Sequence, residues 1–131
     1  MSELSDRIKG TIESEDVVLF MKGTPQQVLC GNSARALDAL RSVGASVTAV
    51  DVLPDPAIRQ ELSALSNWPT IPQVFVRGEL LGGADIVEEL AATGGLRAKI
   101  DASLGEGWPE GERSETVVAV TDGATGLRVV P

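Results

Sequence analysis

Five consecutive apolar residues, Val17-Val18-Leu19-Phe20-Met21, closed by Gly23 and Pro25, constrain this chain more than any other stretch. An unbroken apolar run this short suits a strand buried on both faces, because it leaves no side for water. Such a strand needs a central place in a sheet with helices on either side. The neighbouring patterns supply them: Leu4, Ile8 and Ile12 recur every four residues and predict an amphipathic helix over roughly residues 2–14. Beyond the strand, Leu37, Leu40 and Val43 share one face of a helix that begins at Cys30, with Gly44 as its stop.

The Val- and Thr-rich stretch from Ser46 to Val52 predicts a second strand, and Asp55-Pro56 reads as an N-cap followed by proline at the first helical position. Ile58, Leu62 and Leu65 form the expected buried stripe of that third helix. Gln73-Val74-Phe75-Val76 and Glu79-Leu80-Leu81-Gly82 flank the two-residue connection Arg77-Gly78, a hairpin pattern. Asp85 to Thr93 reads as a helix with Asp85 and Glu88 spaced as a capping pair, and Gly94-Gly95 separate it from a last helix near Leu96 to Leu104. The order α-β-α-β-α-β-β-α-α predicts an α/β fold of thioredoxin-like layout, a four-stranded mixed sheet flanked by helices. From Gly105 onward Gly, Pro, Glu and Ser take over, and then Thr116 to Val120 and Leu127 to Val130 flank a turn-like Thr-Asp-Gly-Ala-Thr-Gly stretch. Residues 1–104 therefore read as one domain, and residues 105–131 as a C-terminal extension, either an added β-hairpin or a mobile tail.

Counting reactive side chains narrows the chemistry. The 131 residues include no His, no Tyr and a single Cys, Cys30. Imidazole bases, Cys-His nucleophile pairs and zinc sites built on His are thereby excluded, and so is an internal disulfide. Any thiol chemistry must be completed by another molecule's thiol, in a reducing compartment. A net charge of −8 with no basic stripe argues against nucleic acid. The apolar runs are too short to span a bilayer, and the polar N-terminus opens directly into the first helix, so the expected location is cytoplasmic.

Cys30 sits where a loop becomes a helix, so unpaired N–H groups and the positive end of the helix dipole favour its thiolate, with Lys22 adding a cation if the loop folds back. Taken alone, a single Cys is also read as a small apolar residue. Around it, Met21-Lys22-Gly23-Thr24-Pro25, Cys30-Gly31-Asn32-Ser33, Trp68-Pro69-Thr70-Ile71-Pro72-Gln73 and Gly82-Gly83-Ala84-Asp85-Ile86 follow in order. Together these four motifs, over about residues 1–104, resemble the monothiol glutaredoxins of the CGFS type.

The resemblance implies that Cys30 is the redox thiol and the ligand of a 2Fe–2S cluster. It implies that Lys22 and Arg59 hold the glycine carboxylate of glutathione, and that Ile71, before a cis Pro72, pairs its main chain with the cysteinyl part. Ala84 and Asp85 would bind the γ-glutamyl end, the backbone N–H meeting its carboxylate and the Asp side chain its ammonium. Two chains and two glutathione thiolates would supply the four ligands of a bridging cluster, in a homodimer that acts with iron–sulfur assembly and client proteins and with BolA-type partners. One departure from the pattern is Asn32, where the family carries Phe; the amide makes a wetter site able to hydrogen-bond the thiolate, and implies a more labile cluster than Asn32→Phe would hold.

Read without the resemblance, the same residues have plainer roles. Lys22 and Arg59 are equally well solvated surface charges, Pro72 an ordinary trans proline, and Asp85 a helix N-cap. Trp68 reads as core and Gly82-Gly83 as a tight turn. Three functions follow from the whole: a glutathione-dependent cluster carrier, a glutathione-dependent monothiol oxidoreductase that removes glutathione from mixed disulfides, and a thioredoxin-fold interaction module with a silent Cys30.

Overall fold

A computed structural model of the chain describes residues 2–105, 113–121 and 128–129. The first helix, α1 (Glu3–Ser14), is capped by the Ser2 side chain, which accepts from the Ser5 N–H. Strand β1 (Val17–Met21) is buried at all five positions, as its unbroken apolar pattern requires. Its side chains alternate between two cores. Val17, Leu19 and Met21 meet Leu37 and Leu40 of α2 (Gly31–Ser42), while Val18 and Phe20 meet Ile8 and Ile12 of α1.

After α2, strand β4 (Val47–Asp51) runs parallel to β1. Between β1 and α2 lies a two-stranded ribbon, β2 (Gly23–Thr24) with β3 (Gln27–Val28). Helix α3 (Pro56–Ser66) starts as the sequence indicates, with Asp55 accepting from the Ala57 N–H and Pro56 at the helix start. Of its expected stripe, Ile58 and Leu62 are buried, but Leu65 is 36% exposed because it lines an open groove with Ile12 and Phe75 that no further side chain fills. Strands β5 (Gln73–Val76) and β6 (Glu79–Gly82) pair antiparallel, and Arg77 and Gly78 both take positive φ, 49° and 84°, as a tight primed hairpin turn demands. Phe75 of β5 meets Phe20 edge to face at 5.7 Å, tying the hairpin to β1. Helices α4 (Ala84–Thr93) and α5 (Gly95–Leu104) meet at Gly94, whose φ of 85° makes the corner alone; Gly95 already belongs to α5.

The expected mixed sheet of β6, β5, β1 and β4 carries α1 and α3 on one face and α2, α4 and α5 on the other. Two further strands extend it past β4: β7 (Glu115–Val118), parallel to β4, and β8 (Arg128–Val129), antiparallel to β7. The edge of β4 is thus covered by the chain itself. Arg41 of α2 clasps Glu115 through Nε at 2.7 Å and Nη2 at 2.9 Å, and Arg113 also pairs with Glu115. Val120, 2% exposed, joins the core formed by Ile8 and Ile58. The turn-like stretch over residues 121–126 lies, beyond Thr121, outside the described residues, as do Leu127 and Val130.

Candidate functional site

Cys30 is the N-cap of α2, in extended conformation, and it is half-buried. Its thiol is held below the ordinary cysteine value, first by the Ser33 backbone N–H, then by the Asn32 N–H, the Ser33 hydroxyl and the Lys22 charge; burial opposes them. Ser33 is fully buried, and its Oγ accepts from the Lys22 N–H at 3.0 Å. That bond leaves the hydroxyl proton for the sulfur.

The loop from Lys22 to Cys30 folds back as the thiol requires. Leu29 donates its N–H to Lys22 O at 3.0 Å, and the ribbon pairs Gly23 with Val28. Gly23 has φ 95°, and a Cβ there would lie 2.3 Å from Gln27 O, so no other residue fits. Asp51 Oδ1 accepts from the N–H groups of both Gly23 and Leu53 at 2.9 Å, pinning the loop to the end of β4. Asp51 is a site-shaping residue that sequence reasoning missed, although a carboxylate at a strand end before a turn is a recognisable signal.

Beside the start of α2 opens a cleft of about 370 Å³, walled by Ile71, Pro72, Trp68 and Thr70 on one side and by Gly83, Ala84 and Asp85 on the other. The Ile71–Pro72 bond is cis. Fully buried Gln73 holds the approach to it, with Nε2 donating to Trp68 O at 3.0 Å and Thr70 O at 3.1 Å. Trp68 is half-buried and forms cleft wall rather than core. Gly83 is likewise more than a turn: it is the N-cap of α4, and a Cβ on it would sit 3.3 Å from Pro72 O and 3.4 Å from Trp68 Nε1.

Of the residues singled out from sequence, Ile71, Pro72, Ala84 and Asp85 come together in this cleft. Cys30 stands two residues before Asn32, which does line it. Lys22 and Arg59 lie outside its wall; Lys22 is half-buried near the thiol, and Arg59 is exposed, with Nη2 reaching Pro69 O at 3.4 Å. No side chain caps α4, so its first N–H groups are free of capping partners, and Asp85 and Glu88 do not form the expected capping pair. Both carboxylates instead face Arg35 of α2, at 2.7 Å and 2.8 Å. Asn32 Oδ1 also accepts from Arg35 Nη1, at 3.1 Å, so the amide oxygen is turned to the guanidinium. Arg35 was invisible in the sequence, since only the packing of α2 on α4 brings it there.

A thiol biased toward thiolate at a helix start, next to a cleft with the main chain around a cis proline on one wall and an uncapped helix N-terminus with a carboxylate on the other, suits a small thiol peptide with charged ends. Among the described residues no cluster of three metal-ligating side chains exists, so one chain offers a metal one sulfur. No helix among the described residues is long and apolar enough to cross a membrane.

Comparison with known proteins agrees with this layout. The family model described as Glutaredoxin matches residues 17–81. Monothiol glutaredoxin-S17 of Arabidopsis thaliana is 45% identical over 97 residues, which are 74% of this chain and 20% of that protein, so the chain spans about a fifth of that relative's length. Glutaredoxin 4 of Escherichia coli (strain K12) is 44% identical over 100 residues, 76% of this chain and 87% of the relative. The solution structure of reduced poplar apo GrxS14 superposes with a TM-score of 0.69 at 36% identity, covering 77% of this chain and 93% of that one.

Proposed function

The chain belongs to the monothiol glutaredoxin family, and from that premise we propose that it is a glutathione-dependent carrier of 2Fe–2S clusters in the cytoplasm. The observation that carries the reading is the solitary thiol of Cys30, biased toward thiolate at the start of α2 and adjoining a cleft suited to a thiol peptide. In this reading residues 1–104 are the working domain and residues 105–131 an extension. Ile71, Pro72, Ala84 and Asp85 bind the cysteinyl and γ-glutamyl parts of glutathione, and Lys22 and Arg59 meet its glycine carboxylate.

A 2Fe–2S cargo calls for four thiolate-type ligands, of which one chain has one. Two Cys30 sulfurs and two glutathione thiols complete the set, so the loaded form is a glutathione-bridged homodimer, delivering to iron–sulfur assembly and client proteins and to BolA-type partners. A thiol half-buried at a helix end is accessible to a second chain. The reading is tested by anaerobic reconstitution with iron and sulfide, with and without glutathione, followed by visible absorption and gel filtration. A glutathione-dependent dimeric chromophore lost in Cys30→Ser is expected; a colourless monomer would overturn the carrier reading.

The lowered thiol pKa favours a second reading, a monothiol oxidoreductase. The Cys30 thiolate attacks the glutathione sulfur of a mixed disulfide, and the substrate's thiolate leaves. A second glutathione thiolate then attacks the Cys30–glutathione disulfide, releasing glutathione disulfide and restoring Cys30. Steady turnover of a glutathionylated peptide, absent in Cys30→Ser, would favour this reading.

A further inference from the structure

Arg35 stands five residues after Cys30 and reaches from α2 to the first turns of α4. Its Nε donates to Glu88 Oε2 at 3.2 Å, its Nη2 to Glu88 Oε1 at 2.8 Å and to Asp85 Oδ1 at 2.7 Å, and its Nη1 to Asn32 Oδ1 at 3.1 Å. A guanidinium has five N–H groups, so one, on Nη1, is left over. Among the described residues lining the cleft, Arg35 is the one cation and Asp85 the one carboxylate.

We propose that Arg35 is a specificity-determining residue of the cleft: its remaining Nη1 N–H joins the uncapped backbone N–H groups at the start of α4 on the α-carboxylate of the γ-glutamyl group while Asp85 takes the ammonium. The assignment rests on the glutathione reading above and deepens it, because it makes the cleft selective for a zwitterionic amino-acid end. Three features support it. Asp85 and Glu88 lie one helical turn apart, and without a cation between them they would repel an incoming carboxylate. Asp85 is 89% exposed and gives Arg35 only Oδ1, leaving Oδ2 for an ammonium. The guanidinium is already fixed by three partners, so little side-chain freedom is lost when it engages a ligand.

The test measures dissociation constants by calorimetry for the full chain and for Arg35→Gln with three ligands: glutathione, glutaryl-cysteinyl-glycine, which lacks the ammonium, and 4-aminobutanoyl-cysteinyl-glycine, which lacks the α-carboxylate. Arg35→Gln is expected to weaken the first two by roughly tenfold, as for one charge-assisted hydrogen bond at a solvated site, and the third by less than about twofold. Arg35→Lys, keeping the charge without the fork, should recover part of that carboxylate-specific loss. Equal weakening of all three ligands would reduce Arg35 to a structural role. Tighter glutathione binding by Arg35→Gln would mean that Arg35 competes with the ligand's ammonium for Asp85. Either result overturns the assignment and leaves the glutathione reading standing, whereas a wild-type chain that binds no glutathione overturns both.

Discussion

Replacing Glu115 by Gln removes one charge from the clasp between β7 and α2 and keeps the side chain's shape, so it isolates the electrostatic part of that contact. Arg41 and Arg113 hold the Glu115 carboxyl down from 4.5 to about 2, with the Arg41 hydrogen bonds as the main cause. That difference corresponds to roughly 3 kcal/mol at most, at about 1.4 kcal/mol for each tenfold change in proton affinity. Glu115 is only 12% exposed, but both arginines are 36% exposed, and solvent screening brings the expected contribution to about 1–2 kcal/mol. Because the folded-state pKa is the lower one, the stabilisation is complete above the unfolded value and is lost as pH falls from about 4.5 toward about 2. Val120 places the extension in the same core as Ile8 and Ile58, so the loss should register in global unfolding. Urea unfolding of wild type and Glu115→Gln at pH 7, 5, 4 and 2.5 should show a gap of about 1–2 kcal/mol at neutral pH that mostly closes at the lowest pH. A gap of the same size at pH 2.5, or none at pH 7, would refute the reasoning.

Ser33→Ala removes a donor to the Cys30 sulfur and strands the Lys22 N–H, so the pH midpoint for alkylation by iodoacetamide should rise and stability should fall by about 1–3 kcal/mol. An unchanged alkylation profile would show that the hydroxyl does not serve the thiolate. Asn32→Phe frees Arg35 Nη1 and sets a ring beside the sulfur, so reconstituted cluster absorbance should decay more slowly than in the wild type; equal decay rates would count against Asn32 as the source of lability.

Much of the fold was legible because its signals are local. The period of Ile8 and Ile12, the Asp55-Pro56 start, and Arg77-Gly78 with both residues at positive φ each arise from interactions within a few residues. Leu65 was misread because periodicity carries no information on whether the space a side chain faces is filled, and Leu65 faces an open groove beside Ile12 and Phe75. Asp85 and Glu88 satisfy the spacing of a capping pair, yet α4 begins at Ala84 with Gly83 as its N-cap, so Asp85 lies inside the helix and both carboxylates are free to pair with Arg35.

The amino-acid sequence by itself determined the central β1 strand, the helices on both of its faces, and a single thiol at a helix start. These follow from periodicity, capping and composition, which are properties of neighbours along the chain. Only the tertiary structure decided that Ser33 and Asp51 shape the thiol loop, that Arg35 bridges α2 and α4 at the cleft, and that Glu115 brings β7 against the open edge of β4. Those contacts join residues 11 to 74 positions apart, and their partners are chosen by which surfaces the packed helices and strands bring within a few ångströms.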